Sequence, residues 1–298
     1  MKRILITGGT GFIGKNINFP LEVKISSQDV DLRNWKDTLN LFKKHQPDIV
    51  IHCAARHGNF KEMEQNKVEF FRDNQAIDLN VFEASNQVGV TQLIALSSVT
   101  AFPFEIETEI SESDLHQGEP HPSCYTYGYN KRMLDILCRS YNEQYGVNYT
   151  CALLTNMYGP FNDFNLESAT VVSNLIHKCY IAKQTNSDFK VYGDGSPVRD
   201  FMYVEDLTDI FNILLDKKYN EPVIISTGES ISLKKLVTII VNKFRFTGNV
   251  IWGNETSVGQ QKKVASNKKL LQVSDSISFT SLEDGISKTI DWFMTTKK

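Results

Sequence analysis

The chain has 298 residues, of which 41% are hydrophobic and 22% are charged, and its formal net charge is −3. This length suffices for one large α/β domain with a smaller appended lobe and a buried core. The slight acidic balance and the lack of a long Lys/Arg run argue against a nucleic-acid or anionic-membrane partner.

The cysteines and the hydropathy pattern indicate where the protein works. Five cysteines, an odd number, occur without a C-x-x-C pair, so neither a disulfide framework nor a zinc site is indicated and no metal is expected. No stretch reaches the ~20 apolar residues of a membrane span. The first strand begins at the N-terminus without a signal peptide before it. We therefore expect a cytoplasmic protein that does not bind a membrane.

A short apolar run opens the chain and is followed at once by glycines spaced G-x-x-G-x-x-G. This pattern predicts a buried parallel strand that turns sharply into a helix. The glycines permit a tight bend, and the free N–H groups of the turn and helix face an anion. The turn is therefore predicted to bind the pyrophosphate of a dinucleotide. Its predicted cofactor contacts are Gly8, Gly11, Phe12, Ile13 and Gly14.

A second strand, predicted at residues 21–25, indicates which dinucleotide binds. In such folds a carboxylate after this strand binds the ribose 2′-hydroxyl of NAD, whereas hydroxyl or basic groups accept the 2′-phosphate of NADP. Here Ser26 and Ser27 occupy that place, which favours NADP and leaves NAD as the alternative. Asp31 and Leu32 are then predicted to lie beside the adenine.

A continuous apolar run at residues 48–55 predicts the next buried strand. It ends in Ala54 and Ala55, small residues of the kind expected where a backbone packs against a dinucleotide, and both are predicted cofactor contacts. His52 lies within the strand, and core packing explains it better than catalysis.

The alternation then continues with a helix predicted at residues 66–88 and a strand at 92–96. This strand delivers Ser97 and Ser98 to its carboxyl end, the edge where open α/β sheets bind ligands. Strands and helices in this order predict a Rossmann-type, doubly wound parallel sheet. Residues 103–122, rich in proline and carboxylates, are predicted to form a loop over the site.

One of three closely spaced tyrosines is followed by a lysine four residues later. Tyr127 and Lys131 therefore lie on one face of a predicted helix that ends near residue 145. A neighbouring ammonium favours the ionised phenol, so we expect the pKa of Tyr127 to move toward neutrality. With the hydroxyl of Ser98, this pair can exchange a proton with an alcohol or carbonyl while hydride passes to or from a nicotinamide.

These motifs together resemble the extended short-chain dehydrogenase/reductase superfamily, the NAD-dependent epimerases and dehydratases. The resemblance covers T-G-G-T-G-F-I-G at 7–14, D-I-V-I-H-C-A-A at 48–55, S-S at 97–98, Y-x-x-x-K at 127–131 and R-D-F-M-Y-V-E-D-L at 199–207. It implies that Ser98, Tyr127 and Lys131 form a catalytic triad. Ser98 is preferred to Ser97 because the family serine usually precedes an aromatic residue, here Phe102, by four positions.

The resemblance also implies a division of the chain and an assembly. Residues 1–160, with a returning segment at about 200–230, are expected to bind the dinucleotide. Residues 161–298 are expected to form mainly a nucleotide-sugar-binding lobe. The family further implies a homodimer through the helices near 66–88 and 126–145.

Within the superfamily the chain is most similar to the GDP-L-fucose synthases, in the stretches 140–146, 154–160 and 162–165. This similarity implies an NADP-dependent reductase of a 4-keto nucleotide-sugar, with or without epimerisation, whose substrate is GDP-linked. It implies that Asn156 lines the sugar site and that Arg199 contacts the diphosphate. Tyr192 and Trp252 are candidate walls for the base, and Lys262 or its neighbour Lys263 falls where the family has a basic residue near the nucleotide.

The chain departs from the synthases where they epimerise their substrate. Thr100 and Tyr180 match the positions of the family's cysteine and histidine, and His177 is a nearby alternative to Tyr180. A threonine hydroxyl is a much poorer base than a thiol, and tyrosine does not titrate near neutrality as histidine does. The reductase half is therefore expected to be intact, whereas epimerisation is left open at Thr100, His177 and Tyr180.

Two other functions remain compatible with the sequence. A 4-epimerase of the UDP-galactose type needs only the serine, tyrosine and lysine, and it would hold NAD tightly without consuming a reductant. A non-catalytic dinucleotide-binding regulator would also keep the fold. Dehydratases are excluded, because an Asp-Glu pair that they carry is replaced here by Val99 and Thr100.

Overall fold

A computed structural model describes residues 2–58, 60–253 and 261–297. In chain order the strands are β1 (Ile4–Thr7), β2 (Glu22–Ile25), β3 (Ile49–His52), β4 (Gln92–Ser98), β5 (Asn148–Leu154), β6 (Asn156–Tyr158), β7 (Phe189–Val191), β8 (Val198–Arg199), β9 (Phe201–Tyr203), β10 (Val223–Ile225), β11 (Ile231–Ser232), β12 (Val250–Trp252) and β13 (Lys262–Lys263). The helices are α1 (Phe12–Asn16), α2 (Trp35–His45), α3 (Phe60–Gln65), α4 (Lys67–Gln87), α5 (Tyr125–Tyr145), α6 (Val171–Thr185), α7 (Leu207–Asp216), α8 (Leu233–Phe244), α9 (Lys268–Val273) and α10 (Leu282–Thr295).

The central sheet has six parallel strands in the order β2-β1-β3-β4-β5-β10. The strand order reverses between β1 and β3, so a crevice opens at the carboxyl ends of these two strands. The predicted Rossmann-type doubly wound sheet is thus confirmed. Parallel strands form here because their short apolar runs are buried on both faces and are joined by helices.

Side chains alternate between the two faces of the sheet and build two apolar layers. Leu5 belongs to the layer under α2, α4 and α5. Ile4 and Ile6 belong to the opposite layer, under α7 and α9. This alternation follows from the two-residue period of a strand, and it explains why nearly every position of β1 is apolar.

A third apolar cluster lies outside the sheet, in the second half of the chain. It is built by α6, α8 and α10, with Ile176, Ile240 and Phe293 among its buried members. The chain does not stay in this cluster, since β10 returns to the sheet and pairs with β5, as predicted for this segment. Of the helices in the described part of the chain, none is both long and apolar enough to cross a membrane.

Candidate active site

A cleft of about 1020 Å³ lies at the carboxyl ends of β1, β3, β4 and β5. It is lined by the glycine turn after β1, the segment after β3, the end of β4 and the start of α5. Residues 154–157, 161–163 and 168–172 close its other side. Strand ends of a parallel sheet converge at one edge, which is why residues far apart in sequence meet here.

The glycine turn leaves room for a ligand only because it carries no side chains. Gly8 has a positive φ of 67°, and a Cβ built on it would lie 2.8 Å from the backbone nitrogen of Ala54. A Cβ on Gly14 would collide with the carbonyl oxygen of Gly8. Because α1 has only five residues, an anion at this turn would be bound mainly by the N–H groups of the turn itself. All five glycine-turn residues predicted to contact the cofactor line the cleft.

The segment after β3 forms the adjoining wall. Ala55 lines the cleft, and Ala54 packs against Gly8. Cys53 also lines the cleft, but burial raises the pKa of its thiol to about 12, so it stays neutral. His52 is buried and bonds Thr7 Oγ1 at 2.7 Å through Nδ1 and an oxygen of the Asp78 carboxylate through Nε2, which confirms its prediction as a core residue.

The residues predicted to distinguish NADP from NAD lie beyond β2, outside the described lining of the cleft. Ser27 is exposed, whereas Ser26 is buried and donates its hydroxyl to Asp29 at 2.8 Å. Asp31 is exposed and pairs with Arg33, with 2.8 Å between carboxylate and guanidinium. Leu32 is buried. Of the two serines, Ser27 is therefore the one open to a phosphate.

Ser98, Tyr127 and Lys131 all line the cleft. The Lys131 ammonium donates to the carbonyl oxygen of Leu96 at 2.8 Å and lies 5.8 Å from the centre of the Tyr127 ring. Ser98 ends β4, and its Oγ accepts a hydrogen bond from the backbone of Thr100 at 3.2 Å, which leaves the hydroxyl proton to donate.

The two neighbouring serines have different environments. Ser97 is buried, and its hydroxyl donates to the carbonyl oxygen of Lys131 at 2.7 Å. This bond fixes the end of β4 to α5. The hydroxyl proton of Ser97 is thus used in a structural hydrogen bond, whereas that of Ser98 is still available to donate.

The environment of Tyr127 differs from the expectation. Burial raises the pKa of its phenol above the ordinary value, and the Lys131 ammonium opposes this shift without cancelling it. The expected shift toward neutrality is therefore wrong for this state of the protein. A phenol that stays protonated at neutral pH is suited to donate a proton.

The three candidate epimerisation residues do not meet. Thr100 lines the cleft, and its buried Oγ1 has no hydrogen-bond partner among the described residues. His177 instead bonds the carbonyl oxygen of Phe164 at 2.6 Å through Nδ1. Tyr180 packs edge-on against Phe293. Neither His177 nor Tyr180 belongs to the described lining of the cleft.

The candidate substrate residues are also divided. Asn156 lines the cleft, and its amide nitrogen donates to the backbone oxygen of Asp200 at 2.9 Å. Arg199, Tyr192 and Trp252 fall outside its described lining. Tyr192 is 73% exposed, and the Lys178 ammonium lies over its ring, 4.2 Å from the ring centre, so the ring is not free on both faces.

The structure also separates Lys262 from Lys263. The strand β13 runs parallel to β8 and pairs Lys262 with Val198 and Lys263 with Arg199. Lys262 is exposed, whereas burial lowers the pKa of Lys263 to about 8. Lys263 interacts electrostatically with Cys124, which lines the cleft. Lys263 is therefore the lysine nearer the cleft.

Sequence reasoning missed His57 and Cys124, both of which line the cleft. The His57 ring stands at 81° to the Tyr127 ring, with 5.7 Å between their centres. Two signals were present: His57 follows the same strand end as the predicted contact Ala55, and Cys124 precedes Tyr127 by about one helical turn.

The loop at residues 103–122 was predicted to cover the site, and this is wrong, since the described lining of the cleft contains none of its residues. Arg132 of α5 fixes the loop instead. Its guanidinium donates to the carbonyl oxygen of Ala101, just before the loop, at 2.9 Å and to that of Gly118, near the end of the loop, at 2.8 Å. In its middle, Ile110 forms a β-bridge with Ala265. The loop is therefore fixed to α5 and to the segment around Ala265.

Comparison with known proteins gives consistent results over the whole chain. The NAD dependent epimerase/dehydratase family model matches residues 4–228. A GDP-L-fucose synthase of Dictyostelium discoideum is 37% identical over 306 residues, covering 98% of this chain and 95% of the relative. A probable GDP-L-fucose synthase of Drosophila melanogaster is 31% identical over 313 residues, covering 99% and 98%. The crystal structure of a GDP-L-fucose synthetase from Naegleria fowleri bound to NADP has a TM-score of 0.89 at 35% identity, covering 99% of this chain and 95% of that chain.

Proposed function

The chain belongs to the NAD dependent epimerase/dehydratase family, and on that basis we propose that it is an NADP-dependent reductase of a 4-keto nucleotide-sugar, with GDP-L-fucose synthase-like chemistry in nucleotide-sugar biosynthesis. The observation that carries this proposal is the convergence of Ser98, Tyr127 and Lys131 on one cleft with the glycine turn. A protein that only binds a dinucleotide has no physical need for these three residues beside the glycine turn.

The glycine turn fits a dinucleotide. Side chains at Gly8 and Gly14 would collide with the backbone, so the turn keeps its N–H groups accessible to a pyrophosphate. Phe12, Ile13 and Ala55 line the adjoining cleft wall. The solved relative bound to NADP supports NADP as the cofactor, with Ser27 as a hydroxyl for its 2′-phosphate. When bound, NADPH supplies the hydride.

The reaction then needs a proton at the C4 oxygen of the sugar. Tyr127 donates it, since burial raises the pKa of its phenol and keeps it protonated. Ser98 donates a hydrogen bond that orients the same oxygen. The Lys131 ammonium stabilises the tyrosinate that forms, because an adjacent cation favours the ionised phenol. Each of these groups lines the cleft, so one bound carbonyl can meet them together.

The second half of the chain is proposed to hold the nucleotide-sugar, while residues 1–160 with the segment at 200–230 hold the cofactor. Arg199 and Lys263 are opposite each other on the neighbouring strands β8 and β13. Two cationic side chains at adjacent positions are suited to bind a diphosphate. Asn156 contributes to the sugar site. Tyr192 is the candidate platform for the base through the ring face that Lys178 does not cover, and the relatives' names suggest that this base is guanine.

A homodimer and a cytoplasmic location complete the proposal. Phe71 and Leu79 on α4, and Met133 on the adjoining α5, are exposed apolar side chains of the described chain. A second copy of the chain packed on these helices would bury them. The five cysteines are all free thiols, which suits a reducing compartment.

The test is NADPH consumption, followed by absorbance, with GDP-4-keto-6-deoxymannose generated in place. We expect consumption by the natural chain and a loss of about 10²- to 10⁴-fold in Tyr127→Phe, because the proton donor is gone. Tyr125→Phe is the matched control, since Tyr125 starts the same helix and is exposed. The proposal fails if no GDP-, UDP- or dTDP-linked 4-keto sugar is reduced, or if Tyr127→Phe retains full activity.

A further inference from the structure

We propose that His57 is the base that removes a proton from a carbon next to the C4 ketone of the bound sugar. This inference rests on the function proposed above and adds a residue to it. The predicted residues Thr100, His177 and Tyr180 do not supply a base for epimerisation of the carbons beside C4. His57 would supply it.

The position of His57 carries the inference. It lies on the segment that follows β3 and lines the cleft together with Ser98 and Tyr127. Its ring packs against that of Tyr127, with 5.7 Å between centres and 81° between planes. The carbons flanking C4 are two bonds from the oxygen that Tyr127 protonates. An imidazole against the Tyr127 ring therefore lies beside the carbons whose protons the ketone makes acidic.

The other candidates lack this position or this chemistry. The imidazole of His177 is bound to a backbone carbonyl on the far lobe, and Tyr180 packs within the third apolar cluster. Thr100 does line the cleft, but its hydroxyl does not act as a base near neutral pH without a partner to activate it. Within the described lining of the cleft, His57 is the one imidazole.

The surroundings of His57 favour its neutral form. His57 is an exposed residue, but partial desolvation of its imidazole by the surrounding cleft walls is the main cause that lowers its pKa, and the Lys131 ammonium of α5 acts in the same direction. The Glu62 carboxylate of α3 acts in the opposite direction and is outweighed. Tyr127 faces the ring as an uncharged phenol. A neutral imidazole has a free nitrogen lone pair and accepts a proton.

The proton transfer balances without any further reagent. His57 takes the proton as the C–H bond breaks, and the electron pair of that bond forms a double bond to C4. The carbonyl electrons move to the C4 oxygen, where Ser98 and Tyr127 donate hydrogen bonds to the enolate. The carbon then regains a proton, either from the imidazolium with retention or from water on the opposite face with inversion. In the second case His57 releases its proton to water.

The experiment measures solvent exchange separately from reduction. The chain is incubated in D2O with the 4-keto GDP-sugar and oxidised NADP, so that no hydride is available, and deuterium beside C4 is followed by NMR. We expect the natural chain to incorporate deuterium and His57→Gln to lose about 10²-fold or more of that rate. His57→Phe keeps an aromatic ring against Tyr127 without a base and is expected to lose exchange equally. His177→Gln is the control and keeps the natural rate.

The outcomes separate this inference from the proposed function. Exchange at the natural rate in His57→Phe or His57→Gln overturns the role of His57. NADPH-dependent reduction by the natural chain with no deuterium incorporation also overturns it, and leaves a simple C4 reductase. Neither reduction nor exchange by the natural chain overturns the proposed function as well. In either variant, a loss of exchange much larger than the loss of reduction supports the inference, because a purely structural defect would lower both.

Discussion

The protonation state of Tyr127 suits one direction of the proposed reaction. Burial raises the pKa of the phenol, and the Lys131 ammonium acts to lower it, whereas Asp78 and Cys124 act to raise it. An acid catalyst with a raised pKa remains protonated through neutral pH and loses its proton only in alkali. Reduction therefore has the proton donor that it needs, whereas alcohol oxidation, which needs a tyrosinate, does not.

This argument predicts the pH profile of reduction. Since the phenol must be protonated, the single-turnover rate should stay level through neutral pH and fall only above the ordinary tyrosine pKa of about 10. In Lys131→Met the cation that opposes burial is removed, so the alkaline fall should move to still higher pH while the overall rate decreases. Stopped-flow measurement of NADPH oxidation from neutral to alkaline pH checks this. An alkaline fall centred near neutrality in the natural chain would show that the lysine dominates instead.

The glycine turn gives a second prediction at the same scale. In Gly14→Ala the new Cβ meets the carbonyl oxygen of Gly8, so the turn must shift at a cost of about 1–3 kcal/mol and NADPH binding should be lost. Gly89→Ala is the control, since Gly89 has a φ of 81° but nothing within 4 Å of an added Cβ. That variant should destabilise the fold without weakening NADPH. Fluorescence titration with NADPH and denaturant unfolding distinguish the two effects.

At the scale of elements, α5 connects the proposed catalytic residues to the end of β4. Lys131 bonds the carbonyl oxygen of Leu96, Ser97 bonds that of Lys131, and Arg132 bonds that of Ala101. Each bond satisfies a buried backbone or side-chain group that would otherwise be unpaired. The spacing between Ser98 and Tyr127 is thus set by a ladder of hydrogen bonds between helix and strand.

Removing one of these hydrogen bonds should lower the stability of the fold. Arg132 is 7% exposed and reaches two carbonyl oxygens with its planar fork, which a lysine ammonium cannot do with the same geometry. We expect Arg132→Lys to lower the free energy of unfolding by about 1–3 kcal/mol. Arg139→Lys on the same helix, whose guanidinium is about half exposed, should cost under about 1 kcal/mol. Urea unfolding measures the free energy of unfolding of both variants. Equal losses would contradict a stabilising role for the hydrogen bonds of Arg132.

At the scale of the whole molecule, Asp200 joins the two halves of the chain. Its buried carboxylate accepts hydrogen bonds from Ser226 Oγ at 2.8 Å and from the backbone of Ala265 at 3.3 Å, and Asn156 also donates to it. Burial outweighs these bonds and raises the pKa of Asp200 to about 6. Asp200, which follows Arg199, is therefore fixed by contacts with Asn156 before β10 in the chain and with Ser226 and Ala265 after it.

The raised pKa predicts a pH dependence of stability with a definite sign. Between the unfolded value of 3.8 and the folded value of about 6, the native state binds the proton more tightly than the unfolded state. The stabilising contribution of Asp200 to the free energy of unfolding is therefore fully present below about pH 4. It falls by about 3 kcal/mol as the pH rises to 6. Asp200→Asn removes this dependence. Thermal or urea unfolding of both chains across this range should show the natural chain losing stability relative to the variant.

The proposed assembly is tested by one surface change. Leu79 is 50% exposed on α4. We expect Leu79→Lys to convert a dimer of the 33.9 kDa chain into a monomer, because a lysine there would have to be buried between two copies. Leu21→Lys, at a leucine that is 59% exposed beside β2, should leave the mass unchanged. Light scattering after gel filtration reads the result, and a natural chain that is already monomeric rules out the assembly.

Local patterns in the sequence determined the sheet, the glycine turn and the Tyr127–Lys131 pair. Each depends on neighbours within one strand or one helical turn, so the chain itself contains the information. The apolar runs specified buried parallel strands, and the four-residue spacing specified a shared helix face. The same reasoning identified His52 as a core residue.

Tertiary structure alone decided which polar residues meet in the cleft. It separated Ser98 from Ser97 by a hydrogen bond to α5, favoured Lys263 over Lys262 by strand register, and brought His57 against Tyr127. It also reversed the expected direction of the Tyr127 pKa shift, because the burial that causes it is contributed by segments remote in sequence. Contacts and desolvation depend on the packing of distant segments, and no local pattern records them.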